Sequence, residues 1–190
     1  MNFMLVLASQ SPRRAEILRN AGVPFEVRTS IVDESPLPDE KPEDYVRRLA
    51  EWKALAVAAS DDELVLGADT TVVVDGEMLG KPADIADARR MIAALAGRRH
   101  EVITGICLRR GMRVLRDYAV TQVWFAPMSD AEIDAYAASG EPLDKAGGYA
   151  IHGLASRFIE RIEGCYFNVV GLPMALLYRH LRVMDAQSRG

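Results

Sequence analysis

A chain of 190 residues fits one domain, or one domain of two lobes, and excludes a large multidomain assembly. Hydrophobic residues make up 49% and charged residues 26%, a balance that excludes disordered and fibrous classes. Lys plus Arg is 23 against 27 for Asp plus Glu, a net charge of −4, whereas a nucleic-acid binder usually carries a basic excess, so no nucleic-acid partner is expected. Cys107 and Cys165 form no CxxC pair and the chain has 3 histidines, which argues against a disulfide framework and structural zinc.

Phe3 to Ala8 is short and almost wholly apolar, and reads as a buried strand. It is too short to span a bilayer, and no basic stretch precedes it as in a signal peptide, so a cytoplasmic protein without a membrane partner is expected. After the polar turn Ser9-Gln10-Ser11-Pro12, a helix is predicted with Ser11 as N-cap, Pro12 in its first turn, an apolar face of Ile17, Leu18 and Ala21, and Gly22 as its stop. Phe25 to Val27 returns as a strand. Residues 33 to 44 hold three prolines and six carboxylates, which disfavours regular structure and predicts a loop.

From Glu43 to Ala59, Val46, Leu49, Ala50, Ala54 and Val57 recur at helical spacing along one stripe, and Lys53 falls within it. Leu64 to Ala68 predicts a buried strand ending at Asp69, followed by a hairpin from Val72 to Leu79 around Asp75-Gly76. Asp84 to Ala96 reads as a helix stopped by Gly97, and residues 100 to 109 and 113 to 126 as two long strands joined near Arg110-Gly111. Ser129 with Glu132 forms a capping box, and Pro173 introduces a final helix, Met174 to Val183, before a frayed tail over 185 to 190. Helices alternating with single strands and hairpins imply α/β architecture with a mixed sheet in a single domain over 1 to 184.

Five places could carry chemistry. Ser9, Ser11, Arg13 and Arg14 bring hydroxyls and two cations to a helix N-terminus, where free N–H groups and the dipole favour an anion; the segment is either a phosphate cradle or a solvent-facing basic turn. Lys53 on an apolar stripe must snorkel to water or meet an anion. Asp69, in Gly67-Ala68-Asp69-Thr70 at a predicted strand end, could hold a divalent cation or take a proton from water, or simply make an Asx turn. Gly80-Lys81-Pro82 resembles a Walker A loop but lacks its spacing and its Ser or Thr, leaving Lys81 as a point charge for a phosphate or a turn lysine. In Asp144-Lys145-Ala146-Gly147-Gly148-Tyr149 paired glycines allow close backbone approach and Tyr149 could stack on a base, although a surface turn explains the segment equally. No GxSxG, HExxH or GxGxxG motif is present, and His100, His152 and His180 read as packed or surface residues. Of the Arg-Arg pairs at 13, 47, 89, 98 and 109, four decorate the polar faces of helices and strand ends more simply than they form a nucleic-acid footprint.

Leu7-Ala8-Ser9-Gln10-Ser11-Pro12-Arg13-Arg14, Val32-Asp33-Glu34, Glu51-Trp52-Lys53-Ala54, Gly67-Ala68-Asp69-Thr70, Gly80-Lys81-Pro82 and the run from Glu141 to Tyr149 occur in the order seen in the Maf family of nucleoside triphosphate pyrophosphatases, and Asn168-Val169-Val170-Gly171-Leu172-Pro173 continues the resemblance across nearly the whole chain. The resemblance implies a two-lobed, ITPase-like α/β fold with an elongated mixed sheet flanked by helices and a central nucleotide cleft, a divalent cation (magnesium or manganese), and release of pyrophosphate. It implies Asp69 as proton acceptor, and Arg13, Thr70 and position 152 as the places that separate substrate subfamilies. Arg13, Thr70 and Asp144-Lys145 resemble the subfamily acting on dTTP and UTP, whereas His152 stands where that pattern has glutamine and supplies one donor and one acceptor without the amide's fixed pair.

The expected reaction is hydrolysis of the α–β phosphoanhydride of a nucleoside triphosphate. Arg13, Arg14, Lys53 and Lys81 would bind phosphate oxygens, with Lys53 and Lys81 assisting catalysis; Ser9, Thr70, Lys145 and His152 would bind substrate; Asp69 and Glu34 would serve metal and water. A nucleotide-binding regulator of septum formation that does not hydrolyse its ligand is the alternative. A homodimer is the default assembly.

Overall fold

The computed structural model describes residues 4–29 and 31–186. Phe3 and residues 187–190 of the expected frayed tail lie outside the described residues. Strands β1 (Leu5–Ala8), β2 (Phe25–Val27), β3 (Leu64–Val74), β4 (Glu77–Leu79), β5 (Arg99–Arg110), β6 (Arg113–Phe125) and β7 (Ile159–Glu163) form a seven-stranded sheet ordered β2-β1-β3-β5-β6-β7, with β4 paired to β3. Helices α1 (Pro12–Asn20), α2 (Pro42–Leu55), α3 (Ile85–Leu95), α4 (Asp130–Ala138), α5 (Tyr166–Val170) and α6 (Met174–Ala186) flank it. The chain is therefore mixed α/β: β1 pairs parallel with β2 and β3, while β3–β4 and β6–β7 are antiparallel.

Two compact units divide the chain: the described residues of 1–69, 104–119 and 171–190 form the first, and 70–103 with 120–170 the second. In the first unit, all four residues of β1 are buried, and the stripe of α2 buries Val46, Leu49, Ala50 and Ala54. Val6, Ala8, Val65 and Cys107 pack with Ala50, Ala54 and Val57. Two glycines set how closely α2 approaches the sheet: a Cβ on Gly67 of β3 would lie 1.9 Å from the Ala50 carbonyl oxygen, and one on Gly105 of β5 2.4 Å from that of Val46. Without side chains at these points, helix backbone rests directly on strand backbone.

The second unit is built around Val72, Leu79, Ile92, Leu95, Val123, Phe125, Tyr136 and Phe158. Asp75 and Gly76 both take positive φ in the two-residue turn joining β3 to β4, the type I′ geometry that the Asp-Gly pair predicts. Asp84 caps α3 by accepting from the Asp87 N–H, and the Ser129–Glu132 capping box of α4 forms in full.

Several boundaries differ from expectation. Asp69 does not end a strand: β3 runs unbroken from Leu64 to Val74, because Thr70 to Val74 continue a β-branched run into the hairpin. Ser11 occupies the N-cap position of α1 but makes no side-chain cap; its own N–H donates to Ser9 Oγ at 3.2 Å. Ala21 is exposed beyond the helix, and α2 ends at Leu55, four residues before Ala59. The last helix continues through Asp185 and Ala186, which were expected to belong to the tail. β7, α5 and three short 3₁₀ turns in 141–158 were not anticipated.

Candidate active site

The strand register explains how the first unit assembles its charged cluster. Side chains alternate across a strand, so Gly67 and Asp69 share the face of β3 on which α2 lies. Gly67 abuts Ala50; one helical turn further, Lys53 reaches the same face, where its Nζ donates to Asp69 Oδ1 at 2.6 Å. The same ammonium lies 2.6 Å from Glu34 Oε1. Lys53 is 9% exposed and Asp69 7%, so the lysine on the apolar stripe meets anions instead of snorkelling to water.

Beside this cluster Arg14 is also buried. Its Nε donates to the Gly171 carbonyl oxygen at 2.8 Å and its Nη1 to Ser9 Oγ at 3.0 Å, tying the turn after β1 to the segment that leads into α6. Ser9 Oγ thus accepts from both the Ser11 N–H and Arg14. Arg13, half-buried in the same first helical turn, completes a basic helix N-terminus in which no acidic residue offsets the dipole.

Burial raises the Asp69 carboxyl above the ordinary carboxylate range, against the opposing pull of Lys53 and then Arg14. Burial likewise lowers Arg14, with Asp69 opposing the effect. Desolvating three charges costs on the order of several kcal/mol per ion, and such groups concentrate where a protein handles charge.

Glu34, on the acidic loop, is held from α2. The Tyr45 hydroxyl donates to the Glu34 carbonyl oxygen at 2.9 Å, and burial followed by the charges of Asp69 and Glu34 pushes the pKa of that hydroxyl upward, which keeps it a donor. Arg48 and Glu40 tie the rest of the loop to the same helix. Sequence reading missed Tyr45, Arg48 and Glu40; the available signal was Tyr45, Arg48 and Trp52 at i, i+3 and i+7 on one polar face of α2.

A divalent cation fits this donor set. Glu34 and Asp69 converge on one ammonium, and magnesium is commonly held by one or two carboxylates together with substrate phosphates and water. Among the described residues there is no cluster of three or more His, Cys, Asp or Glu that would form an all-protein cage.

The other expected site residues lie in the second unit. Thr70, half-buried, follows Asp69 along β3 with its side chain on the opposite side of the pleat. Lys81 is exposed, next to Gly80, whose carbonyl oxygen accepts from the Gly147 N–H at 2.9 Å. Lys145 Nζ donates to the Glu141 carbonyl oxygen at 2.7 Å and to Asp144 Oδ1 at 2.5 Å. His152 is exposed, in a turn pinned by Glu141, which accepts from the Leu154 N–H and the Tyr136 hydroxyl, both at 2.8 Å. Gly147 and Gly148 take positive φ, a conformation the paired glycines supply. Tyr149 is not placed to stack on a base: it is buried, edge-on to His100 and Phe125, with its hydroxyl 2.8 Å from His100 Nε2.

The profile of the family described as Maf-like protein matches residues 4–184. This chain belongs to that family. Among curated Maf relatives, a protein named dTTP/UTP pyrophosphatase from Geobacter metallireducens is 52% identical over 188 residues, which is 97% of this chain and 98% of that protein. One of the same name from Anaeromyxobacter dehalogenans strain 2CP-C is 55% identical over 175 residues, 90% of this chain and 89% of that protein. Among solved structures, the Staphylococcus aureus Ham1 protein covers 65% of this Maf chain and 72% of its own length, with a TM-score of 0.45 and 17% identity. No described helix is long and apolar enough to cross a membrane.

Proposed function

We propose that this Maf family chain is a nucleoside triphosphate pyrophosphatase acting in the cytoplasm on dTTP and UTP, or on modified pyrimidine triphosphates. It breaks the bond between the α-phosphorus and the oxygen that leads to the β-phosphate, releasing a monophosphate and pyrophosphate. The substrate follows the names of the two relatives at 52% and 55% identity. The observation that carries the chemistry is the buried ammonium of Lys53 between the carboxylates of Glu34 and Asp69.

In this reading Asp69 accepts a proton from water as the water oxygen bonds to the α-phosphorus, and the departing pyrophosphate carries away the bonding electron pair. The raised pKa of Asp69 makes it a better proton acceptor than an ordinary carboxylate once ionised. Lys53 stabilises the ionised form and offers charge to the phosphate oxygens, a role Arg13 shares from the N-terminus of α1, while Arg14 fixes Ser9. Magnesium or manganese, held by Glu34 and Asp69, would supply charge neutralisation for the triphosphate. Thr70, Lys81, Lys145 and His152 are assigned to substrate binding on the motif resemblance, with Lys81 assisting catalysis as a point charge.

Pyrophosphate release measured across a panel of canonical and modified triphosphates, with magnesium or manganese, tests the assignment. Preferential turnover of dTTP and UTP is expected. Tight nucleotide binding with no pyrophosphate from any member would replace hydrolysis by ligand sensing.

A further inference from the structure

We infer that Arg48, through Glu40, is a positioning residue that sets the acidic loop so that the Glu34 carboxylate meets Lys53; the inference rests on the reading that Glu34 serves the reacting centre. The Arg48 guanidinium makes a two-pronged contact with Glu40, Nε to Oε1 and Nη2 to Oε2, each at 2.6 Å. The two side chains are 13% and 7% exposed, so the pair is largely withdrawn from water. Such a fork fixes orientation as well as distance.

Three further contacts make the fork a clamp on the loop. Arg48 Nη2 also donates to the Ser35 carbonyl oxygen at 3.2 Å, next to the Glu34 carbonyl already held by Tyr45. Glu40 Oε2 accepts from the Leu37 N–H at 3.0 Å, closing the turn between them, and the positive φ of Asp39 directs the chain back toward α2. The guanidinium lies over the Trp52 ring, 4.5 Å from its centroid, which restricts its own motion. Within one helix, Tyr45 and Arg48 therefore hold the consecutive carbonyls of Glu34 and Ser35, while Lys53 takes the Glu34 carboxylate. Glu34 itself is about half exposed, at 48% of its side chain, so burial does not fix it and this tether does.

The test uses the full chain with dTTP and magnesium, comparing R48M, E34Q and the double variant R48M/E34Q. Methionine preserves an apolar stem against Trp52 and removes the fork. R48M is expected to lower kcat/KM by about 10- to 100-fold, the range for removing an outer partner of a site ligand, and the double variant to be no worse than E34Q. Hydrogen exchange over residues 33–40 should quicken in R48M and stay at the wild-type rate in E34Q. If R48M fails to fold, E40Q removes the other half of the fork from the loop side and is expected to show the same non-additivity with E34Q. Defects that multiply in the double variant would overturn the inference and leave the role of Glu34 standing. A fully active E34Q would overturn the role of Glu34, and the inference with it.

Discussion

Each unit of this chain buries polar side chains, but in different currencies of charge. In the second unit His100, 2% exposed, shares a hydrogen bond with the Tyr149 hydroxyl and meets Tyr149 and Phe125 edge-on. Burial lowers its pKa to about 4, so the ring is neutral at physiological pH and behaves as a polar member of an aromatic core. In the first unit Arg14, Lys53 and Asp69 are buried as charges or as a pair that must share one. The neutral pair shares one hydrogen bond through His100 Nε2, and His100 Nδ1 is buried without a hydrogen-bond partner among the described residues, a cost far below that of a buried charge. A charged cluster of this kind is often less stabilising than apolar residues of the same volume, so packing does not account for it, whereas the chemistry proposed for Asp69 and Lys53 would.

The largest expected effect tests that contrast. Asp69→Asn keeps the shape and removes the proton acceptor, and is expected to lower kcat by roughly 10²- to 10⁴-fold with a circular dichroism spectrum unchanged from wild type. Turnover near wild type in that variant would make Asp69 a structural partner of Lys53 and erase the difference between the units.

The second unit should respond in stability instead. His100 has a folded pKa near 4 against about 6.5 in the unfolded chain, so as pH falls the unfolded chain binds the proton first. The stability this group contributes is complete above about 6.5 and is lost as pH falls through about 4, amounting to about 3 kcal/mol in total. Urea unfolding of wild type at pH 7.5 and at pH 4.5 should reveal the loss. His100→Gln, which keeps hydrogen-bonding capacity without a titrating group, should show a smaller difference between the two pH values, and an equal one would mean that other groups control it.

A smaller effect links packing to the site. Gly67→Ala places a methyl group where the Ala50 carbonyl oxygen lies 1.9 Å away, so α2 must shift, at a cost of roughly 1 to 3 kcal/mol. Because Lys53 follows Ala50 by one turn, kcat should fall together with the melting temperature. A variant that loses stability while keeping full turnover would show that the spacing of α2 from β3 does not set the Lys53–Asp69 contact.

These residues also show what was legible in the sequence. Lys53 stood out because a cation on an apolar helical stripe is a local conflict, and Asp69 because it interrupts an apolar run with a carboxylate in the middle of what is β3. Their meeting was not legible, since it depends on which glycine lets the helix approach the strand. The loop from 33 to 44 read as irregular from its prolines and acids, yet its anchoring by Tyr45 and Arg48 comes from contacts across a turn that no local pattern encodes. Tyr149 was misread because an aromatic after two glycines looks the same in sequence whether it points outward or joins a core. β7 escaped notice because Ile159 and Ile162 do not alternate, a consequence of the irregular register between Trp124 and Phe125.

The finest distinction between the two units lies in which way a titration moves. Asp69 is pushed up by burial and pulled down by Lys53 and Arg14, and it must be ionised to accept a proton, so kcat/KM should rise with pH through its folded pKa. Lys53→Met removes the larger downward influence, and the acid limb of the residual activity should move to higher pH. Lys53→Arg restores a cation, though with different geometry, and should bring the limb back toward wild type. His100→Gln should leave the limb where it is, because that ring bonds only within the aromatic core of its own unit. A limb that stays fixed in Lys53→Met, or moves to lower pH, would assign the titration to a group other than Asp69.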